Sequence, residues 1–148
     1  MNLSLIKLIA MMSGFIGIIL GFLTAVPYIG GFAFLVLICF SAIIELTILM
    51  KLGLLELESV QESSVIGAII GFISFIAFSI IYMPLVIILL KVFKYHTNYG
   101  VSLALTNSNF WIILLISLFL AIFSATINAF TGFLTFYIRE LIKDIKNK

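Results

Sequence analysis

Most of the chain lies in four apolar runs, residues 8–29, 32–50, 65–90 and 110–138. A helix needs roughly 20 residues to cross roughly 30 Å of hydrocarbon, and each run is about that long or longer. In lipid every backbone amide must find its partner within the protein, so runs of this length are predicted to be helices. Their wealth of Ile and Phe does not argue for strands, because the runs far exceed barrel strands and show no alternation. Composition closes the soluble alternative. The chain is 64% hydrophobic and 9% charged, with a mean hydropathy of +1.38, whereas a soluble domain is about a quarter charged. The predicted class is all-α: a polytopic membrane protein of four transmembrane helices, one domain over residues 1–148.

The first run follows Lys7, but it is too long for a signal peptide and no small-x-small cleavage pattern closes it. It is read as an uncleaved span. Orientation follows the lysines. With the N-terminus in the cytoplasm, the inside holds Lys7, Lys51, Arg139, Lys143, Lys146 and Lys148, and the outside holds only Lys91 and Lys94. Six against two places both termini on the cytoplasmic side of a cell (inner) membrane, multi-pass.

The loops carry structural signals. VPYIGG at 26–31 is a tight reversal, with Pro27 and the Gly30-Gly31 pair breaking the helix. Ser59-x-x-Glu62 has capping-box spacing and is expected to open the third helix. Pro84, inside the third run, is expected to kink it. TNSN at 106–109 offers N-caps to the fourth helix, and Tyr28, Tyr95, Tyr99 and Trp111 fit an outer aromatic belt. In the tail 138–148, Ile138, Leu141, Ile142 and Ile145 share one face and Arg139, Lys143 and Lys146 lie opposite, as in a helix lying along inner headgroups.

Short motifs recur in order. IGIILGFL at 16–23 matches IGAIIGFI at 66–73, and FSAIIEL at 40–46 matches FSATINA at 123–129. They suggest a duplicated hairpin, about 8–50 and about 65–138. Each copy holds two spans, so the two antiparallel hairpins are parallel repeats. A glycine-rich helix followed by one with a membrane carboxylate, in duplicate, is similar to the rotor-ring proteolipids of rotary ATPases. The similarity is confined to Gly17, Gly21 and Glu45, with Gly67, Gly71 and Asn128 opposite. The VPYIGG turn lacks their polar loop, and Phe replaces their Ala/Gly texture. Small multidrug exporters also have four spans and a membrane Glu, but in the first span. Membership of neither family is inferred.

Small residues recur every four positions, which puts them on one helix face. The first helix carries Ser13, Gly17, Gly21 and Ala25, the third Gly67 and Gly71, and the fourth Ser117, Ala121, Ala125 and Ala129, with Ser124, Asn128 and Gly132 alongside. Such rows let helix backbones approach in lipid. Packing within the chain is expected to use them, and a second copy is the other taker.

Glu45 is the only ionisable residue well inside a predicted span. Placing a carboxylate there costs about 2.5–3.5 kcal/mol on insertion scales. Its candidate partners are Asn128, Ser41, Ser124 and Thr126, and an axis relating the copies would bring Glu45 and Asn128 together. The structural alternatives are a carboxyl that reaches the inner headgroups near Lys51 or one that locks the bundle. No enzyme is expected: no nucleophile has a base within the spans. Lone His96 and lone Cys39 provide no metal or disulfide partner, and no cofactor is implied. A net charge of +2, with no basic cluster interleaved with aromatics, does not point to nucleic acid, and no nucleic-acid partner is expected. The expected surroundings are the bilayer, with either a second copy or another membrane protein. Two functions are carried forward: a structural or accessory four-helix bundle, and a small ion- or proton-coupled transport protein using Glu45.

Overall fold

The computed structural model of the chain describes residues 3–97, 101, 104, 105 and 107–146; Tyr99, Thr106 and Lys148, singled out above, lie outside the described residues. Among the described residues five long helices follow in order: α1 (Leu3–Thr24), α2 (Gly30–Cys39), α3 (Ser41–Lys51), α4 (Val60–Phe93) and α5 (Phe110–Lys146). Among the described residues there is no strand. Three helices among the described residues, α1, α4 and α5, are long and apolar enough to cross a membrane, and the pair α2–α3 makes a fourth candidate if it counts as one span.

That pair is where the fold departs from expectation. The run 32–50 reads as one helix, yet it breaks at Phe40 and its halves meet at 65°. Phe40 has φ −123° and ψ −4°, outside the helical well. Neither Pro nor Gly stands nearby, so the cause is tertiary and is described below.

The other ends obey local rules. Ser59 Oγ accepts from the Glu62 amide at 3.1 Å, while the Glu62 carboxylate accepts from the Glu58 amide at 3.2 Å, so α4 opens with the expected cap. α3 closes on Gly53, whose φ of 67° only glycine adopts freely. Leu54 N then donates to Leu49 O, which satisfies one of the last carbonyls of α3. In the 26–31 turn the positive φ falls on Tyr28 (67°), with neither glycine taking it. Gly30 has a different use: a Cβ there would collide with the Thr24 carbonyl. Pro84 does not end α4, which runs on to Phe93, and the tail residues through Lys146 continue α5 without interruption. At about 1.5 Å per residue, α4 and α5 are roughly 50 Å and 55 Å long, well beyond the hydrocarbon thickness.

α4 lies between α1 and α5, and the small-residue rows form both contacts. A Cβ on Gly17 would fall on the Ser74 carbonyl, and one on Gly21 would press on Phe78 and Ile81, so the α1 row faces α4. Gly67 and Gly71 sit against Asn128 and Ser124, and Gly132 sits against Ser63 and Gly67, so the other side of α4 meets α5 backbone to backbone. On α5 the fully buried line is Ala121, Ser124, Asn128 and Gly132; Ala125 and Ala129 are half-buried at its edge. Ala25 and Ser117 are buried near the ends of their rows.

Two apolar clusters fill the interior. One gathers Leu20, Leu37, Phe75, Phe78, Tyr82 and Val86, with the rings of Phe34, Phe75, Phe78 and Tyr82 in contact at centroid distances of 4.9–6.3 Å, Phe78 and Tyr82 stacked and the others tilted or edge-on. The other gathers Ile9, Leu46, Leu49, Ile66 and Ile70 with Leu55 and Leu57 from the α3–α4 loop. Lipid tails are as apolar as these interiors, so burial drives little helix association. The loop leucines leave water instead, and each burial there is worth about 1.5–3 kcal/mol.

Gly67→Ala is expected to lower stability by about 1–3 kcal/mol or more, because the new methyl meets a carbonyl in rigid helix rather than a movable side chain. Gly14→Ala, with nothing within 4 Å of the added Cβ, is expected to be neutral or to stabilise by up to about 1 kcal/mol. Unfolding titrations in mixed micelles measure both, and equal effects from the two would overturn the seam.

Candidate functional site

Between the two apolar clusters lies a polar layer, one turn or two deep on each helix. α1 contributes Ser13, α3 Ser41 and Glu45, α4 Ser74, and α5 Ser124 and Asn128, and each of these residues is fully buried. In lipid none of them has water to bond, so every donor and acceptor must be met inside.

Asn128 makes the central arrangement. In an unbroken helix the Ala42 amide would donate to the Ile38 carbonyl, four residues back. Here the carboxamide of Asn128 stands between them. Its Oδ1 accepts from Ala42 N at 2.8 Å and its Nδ2 donates to Ile38 O at 2.7 Å. The side-chain amide thus bridges the pair that the break separates, as an inserted peptide unit would. Nδ2 also donates to Ser124 O at 3.0 Å, which ties the carboxamide to its own helix. The neighbouring free carbonyl, Leu37 O, accepts from Ser41 Oγ at 2.6 Å. A side chain inserted into the helical ladder is a recognised cause of a sharp bend, and this one accounts for the 65° angle.

Glu45 lies one turn beyond the break. Its Oε2 accepts from Ser13 Oγ at 2.8 Å. Its Oε1 is buried with no hydrogen-bond partner among the described residues. Glu45 and Asn128 therefore do not meet as acceptor and donor: each is committed elsewhere, Glu45 to α1 and Asn128 to the backbone of α2 and α3. Of the two structural alternatives for Glu45, the reach toward the headgroups is not seen, since its side chain is wholly enclosed.

Of the other candidates, Ser124 Oγ donates to Gly71 O at 3.1 Å and joins α5 to α4. Ser41 serves the break, as described. Thr126 is exposed and bonds its own helix at Ile122 O, so it lies outside the layer. Two residues do more than their spacing suggests. Ser13, a member of the α1 packing row, is the one hydrogen-bond donor to the buried carboxyl among the described residues; its signal is that it is the polar member of a glycine row. Ser63 donates to Gly132 O on α5, and its signal is the same.

The two FSA motifs face one another across this layer. Phe40 and Phe123 are exposed while Ser41, Ser124, Glu45 and Asn128 are all buried, and the second motif's Asn128 bonds the amide of the first motif's Ala42. No protein-family model, curated protein or solved structure matches the chain.

Asn128→Ala is expected to strand the Ala42 amide and the Ile38 carbonyl, at about 1–3 kcal/mol for each group left unpaired. Asn128→Asp, when ionised, keeps an acceptor for Ala42 but has no donor for Ile38, so it should also destabilise. Micellar unfolding and hydrogen exchange at Ala42 check both, and a wild-type unfolding curve for Asn128→Ala would mean the break needs no bridge.

Proposed function

We propose that the protein is a structural or accessory four-helix bundle of the cytoplasmic membrane, crossing it four times as two like-oriented hairpins with both termini in the cytoplasm. Its role is to hold or assemble with other membrane components, a second copy or another membrane protein, and no catalysis is included. The observation that carries this reading is where the polar layer directs its bonds. Asn128 bonds the backbone at 38 and 42, Ser124 bonds Gly71 O, Ser63 bonds Gly132 O and Ser41 bonds Leu37 O. These groups hold the chain to itself. A layer arranged for a ligand would instead present them inward and unspent.

Four crossings are supported by the bend at Phe40. An angle of 65° is less than a right angle, so both halves advance in one direction. Shared equally, it lets the 21 residues of α2 and α3 cover about 26 Å, close to a hydrocarbon core. The distribution of lysines supports the orientation. The hairpin repeat is supported by matched burial of Gly17 with Gly67, Gly21 with Gly71, Ser41 with Ser124 and Glu45 with Asn128. The copies have diverged in their neighbours, since Gly17 faces α4 and Gly67 faces α5.

The second reading, ion- or proton-coupled transport through Glu45, is favoured by one observation: the unpartnered Oε1 beside an interrupted span. Interrupted helices hold the ion sites of many transporters, and an ionisable residue within a membrane is a functional candidate by default.

Glu45→Gln separates the two. Gln keeps the acceptor for Ser13 but carries no exchangeable acid proton. Under the structural reading, the variant folds, retains its co-purifying partners, and proteoliposomes of wild type and variant pass protons equally slowly, as read by an entrapped pH dye. Proton flux in wild type that Glu45→Gln abolishes, with assembly intact, would replace the first reading with the second.

A further inference from the structure

One cleft sets three cations at the edge of a mostly apolar lining. It lies between the end of α3 and the tail of α5, with a volume of 300 Å³. Arg139, Lys143 and Lys146 line it from one side of α5, spaced i, i+4 and i+7. Met50 of α3 and Ile142 of α5 form apolar walls, and Thr47 supplies a hydroxyl. No carboxylate is among its lining residues. We propose that this cleft binds the phosphodiester headgroup of an anionic phospholipid.

Three observations commit the cleft to a lipid rather than a dissolved anion. Its depth is right: α3 ends at Lys51, and the apolar stretch of α5 gives way to charge at Arg139, so the cleft sits where hydrocarbon meets headgroup. Its lining is amphipathic, with apolar walls for the glycerol end of an acyl chain and cations at the rim for phosphate. Its two lysines are not held by the fold. Lys143 pairs only with Glu140, at 2.8 Å, and both side chains are about half exposed (52% and 43%). Such a solvated pair contributes little, so a phosphate can take the ammonium. Arg139 is anchored by one long bond, Nη1 to Leu57 O at 3.5 Å, which fixes it at the cleft's edge. Basic pockets between membrane helices recognise anionic headgroups by this combination of charge and depth. Asp144 and Glu140 are the acidic residues of the tail, and neither lines the cleft. The inference rests on the chain's lying in a bilayer and is independent of either reading of Glu45.

The test is lipid retention by the full chain in neutral detergent. Native mass spectrometry with added phosphatidylglycerol or phosphatidylcholine, and separately with inorganic phosphate, reads occupancy directly. Wild type is expected to hold one phosphatidylglycerol, with phosphatidylcholine bound at least about tenfold more weakly. K143Q/K146Q removes two exposed charges that the fold does not use, so it should fold as wild type does and lose phosphatidylglycerol by about tenfold or more. K91Q/K94Q removes the same charge from the C-terminal end of α4 and should leave binding unchanged. Equal binding of both lipids, retention by K143Q/K146Q, equal loss in K91Q/K94Q, or full displacement by millimolar phosphate would each overturn the proposal.

Discussion

A single carboxamide, on Asn128, decides the shape of the second apolar segment. In a straight helix the Ala42 amide and the Ile38 carbonyl would bond each other, and the Asn128 carboxamide stands in place of that bond. Both groups are met by a side chain from α5, and the segment turns through 65° at Phe40. Hydrocarbon enforces this economy. A break in water can be filled by solvent, whereas a break in lipid must be filled by the protein. The arrangement also fixes the register of α5, because a shift of one residue would carry Asn128 off the gap and leave two backbone groups bare.

The small-residue seams make the bridge possible. Asn128 reaches the break only because α5 lies against α4 with no side chain between them. Gly67 and Gly71 leave room for the Asn128 backbone and side chain, and Gly132 leaves room for the Ser63 carbonyl. Ser63 and Ser124 then bond carbonyls across the same contact. Packing and polar satisfaction are one structure here. Widening the seam by a methyl would move the carboxamide as well as the helix.

Much of this is legible from residue order. Apolar length marks α1, α4 and α5, and Ser59-x-x-Glu62 marks where α4 opens. Spacing of four marks the faces of Gly17, Gly21, Gly67 and Gly71, because a helix converts sequence period directly into a face. The break is different in kind. LICFSAII contains no residue that ends a helix, and the group responsible stands 86 positions from Ala42. The partnership of Ser13 with Glu45, 32 positions apart, is hidden for the same reason. Local pattern predicts local conformation, and long-range hydrogen bonds lie outside its reach. The pairing expected of Glu45 and Asn128 followed from assuming that equivalent positions meet. The actual geometry gives Asn128 the stronger claim of an opened backbone.

The distance between Asn128 and the gap it fills has a bearing on biogenesis. A ribosome delivers residues 38 and 42 long before residue 128 exists. Until α5 emerges, the only partner open to the Ala42 amide in hydrocarbon is its own Ile38 carbonyl. If residues 32–50 cross the bilayer as proposed, the nascent segment is therefore expected to enter straight and to acquire its elbow last, when the final helix docks.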